Sequence, residues 1–137
     1  MKKIDIRGSA FAVGQALGAF GREAWHAKLT QTALWQTVTA MKDAEQTRSM
    51  RSLVQSQYPL IWQELEGLAE GLEAPFDEVF AWNCRGDLVR STSDGCTTVA
   101  GSTAEGELII AHNEDGFPQL RHDCAIVSIT PDDGLAF

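Results

Sequence analysis

The sequence predicts an α+β fold, with helices over residues 1 to 90 and antiparallel strands after them. Three observations carry this. Ile61, Leu65, Leu68, Ala69 and Leu72 recur at i, i+4, i+7, i+8 and i+11, which lays one apolar stripe along an otherwise acidic helix. Ser91-Thr92-Ser93-Asp94-Gly95 then interrupts the texture with small, polar, turn-forming residues and no apolar periodicity. Beyond it, the runs Cys96 to Ala100, Leu108 to Ala111 and Ala125 to Ile129 are rich in β-branched residues.

Taken in order, Gly8-Ser9 offers an N-cap to a helix carrying Phe11, Leu17, Phe20, Ala24 and Leu29. Gly14, Gly18 and Gly21 weaken that helix intrinsically and point to close packing against a neighbour. A second helix is expected from about Gln31 to Gln57, stopped before Pro59, and the striped helix follows it. Pro75 opens another, with Asp77 and Glu78 in its first turn where they favour the macrodipole, and this one fades near Gly86. Trp25, Trp35, Trp62 and Trp82 fall at helical positions among apolar neighbours and read as core. In the strand region, Ala104-Glu105-Gly106-Glu107 reads as a hairpin loop, Leu108 to Ala111 as a buried strand, and Cys124 as half-buried within a strand. Cys84 lies on an apolar helical stretch and reads as core, whereas His26 reads as a solvated or capping histidine.

A chain of 137 residues with 44% apolar content can build the core of one domain. Eleven basic against 19 acidic residues, a net charge of -8, leave no basic stripe for phosphates or anionic lipid. Nucleic acid and membrane are therefore not expected partners. The start, Met1-Lys2-Lys3-Ile4-Asp5-Ile6-Arg7, lacks the apolar run of a signal peptide, so the expected location is cytoplasmic. Three cysteines, an odd number, argue for free thiols over a disulfide framework. Metal binding also reads poorly, because no Cys-x-x-Cys or His-x-x-x-His pair exists and His122-Asp123-Cys124 is one short, isolated cluster.

The chemistry concentrates at Asp94-Gly95-Cys96. A thiolate placed directly after glycine can attack its own preceding carbonyl, because Gly95 adopts strained backbone conformations and sets no side chain beside the sulfur. An N-to-S acyl shift followed by hydrolysis would free the α-amine of Cys96, a group whose ordinary pKa of about 7.7 to 8.0 suits a general base at neutral pH. Alone, an Asp-Gly-Cys triplet reads more simply as a turn followed by a small hydrophobe.

Asp94-Gly95-Cys96-Thr97-Thr98 followed by Ala111-His112-Asn113-Glu114-Asp115 resembles the acyl-coenzyme A:6-aminopenicillanic acid acyltransferase family, N-terminal-nucleophile enzymes whose precursors cleave at a Gly-Cys bond. The segments Glu64 to Leu72, Glu78 to Arg85 and Ile6 to Ser9 resemble that family's upstream helices and its opening. The resemblance implies the first part of an αββα sandwich, a helical chain over 1–95 and a catalytic chain beginning at 96 and running through 137. It makes Cys96 the nucleophile, Gly95-Cys96 the self-cleavage site, and Asp115 and Asn113 catalytic partners. His112 and Glu114 depart from the family's usual glutamine and tryptophan. The substrate implied is a small acyl amide, peptide or thioester, handled without metal or organic cofactor.

The family's oxyanion-hole asparagine and supporting arginine have no counterpart by residue 137. The expectation is thus the front part of a larger protein, inactive by itself, which pairs with a further C-terminal portion or a second copy. The rival reading is an inactive α+β module that serves as a subunit or interaction surface. One geometric expectation stands apart from the family. A two-residue loop at Glu105-Gly106, or a four-residue loop from Ala104 to Glu107, would set Cys96 opposite Asp115 and Thr98 opposite Asn113, whereas a three-residue loop would shift the pairing by one.

Overall fold

The computed structural model describes residues 2–89, 96–114, 116–132 and 134. It is an α+β structure with six helices among the described residues: α1 Ala10–Ala27, α2 Ala33–Thr39, α3 Glu45–Gln57, α4 Pro59–Leu72, α5 Phe76–Asn83 and α6 Arg85–Leu88. The strands are β1 Lys2–Gly8, β2 Cys96–Ser102, β3 Leu108–Glu114 and β4 Ala125–Pro131. Short 3-10 turns occupy Leu29–Gln31 and Pro118–Leu120.

The seam between α1 and α4 is built on glycine. A Cβ at Gly14 would lie 1.9 Å from the Glu64 carbonyl oxygen, one at Gly67 2.0 Å from that of Phe11, and one at Gly71 2.1 Å from that of Gln15. Only backbones without side chains approach so closely, as expected for Gly14 and Gly18; Gly21 departs from the expectation, with only the Leu72 side chain near its Cβ position, at 3.8 Å. Ser9 caps α1 by accepting from the Ala12 amide at 3.3 Å. At the other end of the seam, α1 covers the last carbonyls of α4. Arg22 Nε donates to the Gly71 oxygen at 2.9 Å and His26 Nε2 to the Leu72 oxygen at 2.7 Å, so basic groups sit where the helix dipole is negative.

The helix expected from Gln31 to Gln57 is two helices. No Pro or Gly marks the break. Packing imposes it: α2 lies on α5, α3 lies on α4, and the chain turns between them. Thr47, fully buried, donates its hydroxyl to the Met41 carbonyl at 2.7 Å and so satisfies the turn. The main core joins Trp25, Trp35, Val38, Leu72, Val79 and Trp82. Three of the four tryptophans are fully core; Trp62 is half-buried, its ring 4.7 Å from that of Phe76.

Two corrections concern strands. The first seven described residues form β1, not helix, and β1 pairs in parallel with β4 through Ile4 with Val127 and Ile6 with Ile129. Ile6 and Ile129 close a second small core with Val13 of α1. The other two strands pair with each other as an antiparallel hairpin, and Leu108 to Ala111 is not buried. Leu108 is 89% exposed and Ile110 77%, because neither face of the hairpin is packed among the described residues.

Candidate functional site

Cys96 is the first residue of β2 and is exposed. The register of the hairpin follows from its loop. Thr103 N donates to the Glu107 oxygen at 2.9 Å and Gly106 N to the Thr103 oxygen at 3.0 Å, which encloses three residues, Ala104 to Gly106. Gly106 has φ 85°, a left-handed conformation that glycine adopts without steric cost. Thr103 Oγ1 reinforces the turn by accepting from the amides of Glu105 at 3.2 Å and Glu107 at 3.3 Å. A turn ending in a left-handed residue is the usual three-residue hairpin.

The pairing is therefore shifted by one from the two- or four-residue expectation. Cys96 pairs with Glu114, Thr97 with Asn113 and Thr98 with His112. Thr98 Oγ1 and His112 Nδ1 are hydrogen-bonded at 2.8 Å, which fixes this register with side chains as well as backbone. Successive residues alternate between faces, so Asn113 belongs to the face opposite Cys96 and does not face Thr98. His112 shares the face of Cys96, at a diagonal position where cross-strand neighbours are about 7–8 Å apart. Asp115 and Gly95, with the 91–95 run, lie outside the described residues.

Beside Cys96 is a cavity of about 680 Å³, lined also by Leu29, Trp82, Arg85, Phe117 and Arg121. That volume is within the range of small-molecule sites. Its wall is an extension of the core: Trp25 meets Trp35 at 4.7 Å, Trp35 meets Trp82 at 5.4 Å, and Trp82 meets Phe117 at 6.2 Å between ring centroids. This aromatic series carries the Gly116 to Cys124 segment onto the helices. Lys28 anchors the same segment through Asp123, with Nζ 2.6 Å from the carboxylate. Arg85 lies over the Trp82 ring at 5.0 Å from its centroid and donates to the Trp82 carbonyl at 3.4 Å.

The other two cysteines part company. Cys84 is half-buried, and burial, followed by the nearby Asp87 carboxylate, pushes its thiol above the ordinary range. Cys124 is exposed, not half-buried, because it precedes β4 and lines the cavity with Cys96; its Sγ lies 3.6 Å from the Leu120 carbonyl. Sequence reasoning took Trp82 for core alone and gave Arg121 and Phe117 no role. Their convergence joins parts of the chain that no local pattern connects. No family model matches the chain, and no curated protein matches its sequence.

Proposed function

We propose that this chain carries the nucleophile of a self-processing amide hydrolase or acyltransferase, with Cys96 the nucleophile and Gly95-Cys96 the bond it cuts in itself. The observation that carries the reading is the position of Cys96: exposed at the start of a strand, immediately after Asp94-Gly95, and on the wall of a cavity sized for a small ligand. In self-processing, Sγ attacks the Gly95 carbonyl carbon, the C–N bond breaks, and the proton passes to the new α-amine. Water then hydrolyses the thioester and leaves Gly95 as a carboxylate. In turnover, the freed amine takes the thiol proton while Sγ attacks the substrate carbonyl, and the acyl group passes through a Cys96 thioester to water or an amine. Asp115 and Asn113 enter as partners on the motif resemblance; the hairpin register lends Asn113 no support, since it belongs to the other face.

An inactive interaction module is the second reading, and the exposed apolar residues on both faces of the hairpin favour it. Acylation separates the two. Acyl thioesters of small carboxylic acids are expected to add one acyl mass to the peptide containing Cys96, releasable by hydroxylamine, and to leave Cys84 unmodified. N-terminal sequencing of any cleaved protein should begin at Cys96, and Cys96→Ala should remain one uncut chain with stability changed by no more than about 0.5 kcal/mol. Equal acylation of Cys84, or release of product undiminished by Cys96→Ala, overturns the reading.

A further inference from the structure

The cavity wall has two chemistries. Leu29, Trp82 and Phe117 make one part apolar and aromatic, while Arg85 and Arg121 add basic residues to the lining, Arg121 also bordering a second cavity with Lys2, His122 and Cys124. Arg85 is committed to the wall by its stacking on Trp82 and its bond to the Trp82 carbonyl. Arg121 is exposed, and among the described residues no carboxylate forms an ion pair with it; the nearby Asp123 is taken by Lys28. At the wall of a cavity, a cation without an acidic partner is open to an anion brought from outside. The guanidinium fork fits a carboxylate with two parallel hydrogen bonds, and the apolar wall fits a hydrocarbon chain or ring.

We infer that the substrate class is an N-acyl amino acid, its apolar acyl group against Trp82 and Phe117 and its carboxylate held by Arg121. The inference rests on Cys96 being the nucleophile. The reaction would then be attack of Sγ on the amide carbonyl, departure of the amino acid with the thiol proton on its nitrogen, and hydrolysis of the thioester by water to the free acid. Arg121 is a specificity residue in this scheme and takes no proton.

The test needs no turnover. Cys96 is alkylated with iodoacetamide and the rate read by peptide mass spectrometry, in the presence of N-octanoylglycine or its uncharged counterpart N-octanoylglycinamide. The carboxylate should protect Cys96 at a concentration about tenfold lower than the amide, equivalent to 1.4 kcal/mol of binding. Arg121→Gln should erase that preference, and Arg121→Lys should restore part of it, with the unfolding midpoint of both variants unchanged. Equal protection by the two compounds, or a preference that survives Arg121→Gln, overturns the inference. Protection that follows charge while no donor ever acylates Cys96 would leave the recognition standing and defeat the hydrolase reading. Acylation of Cys96 without preference for the carboxylate would do the reverse.

Discussion

Glu64 lies part-buried on α4, and burial raises its carboxyl above the ordinary 4.5. The fold thus favours the protonated form. Its contribution to stability is complete below the unfolded value and is lost as pH rises through the raised folded value, after which the charged carboxylate is a constant cost. Replacing it with glutamine removes that dependence. Glu64→Gln should therefore gain stability over the wild type as pH rises from the ordinary carboxyl value through the raised folded one, and then keep a constant advantage, read from urea midpoints. A difference that shrinks with rising pH would show that Glu64 has a favourable charge partner instead. At the same scale, Gly106 decides the register at Cys96. A glycine near the end of the loop was legible, but it fits both the second position of a two-residue loop and the left-handed third position of a three-residue one. The composition does not choose between them; the Thr103 hydroxyl, bonded to both Glu105 and Glu107, favours the longer loop.

At the scale of elements, close packing of α1 was legible at Gly14 and Gly18, whereas its partner α4, which meets it through Gly67 and Gly71, was not read from the sequence. The Cys96 strand and the acidic first turn of α5 were equally plain. Strand β1 was legible but overlooked, since Ile4 and Ile6 alternate with Lys3, Asp5 and Arg7, a period of two. The division between α2 and α3 was not legible, because only their different packing partners cause it. Gly14→Ala should cost about 1–3 kcal/mol or more, since the new methyl meets the Glu64 carbonyl and the helices must separate. Gly86→Ala is the matched comparison: nothing lies within 4 Å of its Cβ position in α6, so a gain of up to about 1 kcal/mol is expected. Chemical denaturation of both variants checks this, and a Gly14→Ala protein as stable as the wild type would mean that the seam is looser than described.

For the whole molecule, the division into 1–95 and 96–137 cuts across the packing. β1 belongs to the first segment and β4 to the second, and seven residue pairs join them in parallel. Ile6 and Ile129 are buried together against Val13, Lys28 binds Asp123, and Trp82 stacks on Phe117. A break between the segments therefore severs the chain while these contacts still join the two pieces. A sequence-specific protease site placed within 91–95 tests this apart from any self-cleavage. The two cut pieces should elute together from a sizing column in native buffer and separate only in denaturant. Ile129→Asn puts an unpaired amide into the small core that joins them, at a cost of the order of 1–3 kcal/mol, and should let the cut pieces part at a lower denaturant concentration. Should the pieces separate in native buffer without that substitution, the parallel pair and the aromatic contact would be too weak to hold a processed protein together, and Cys96 would leave the Trp82 wall once the chain was cut.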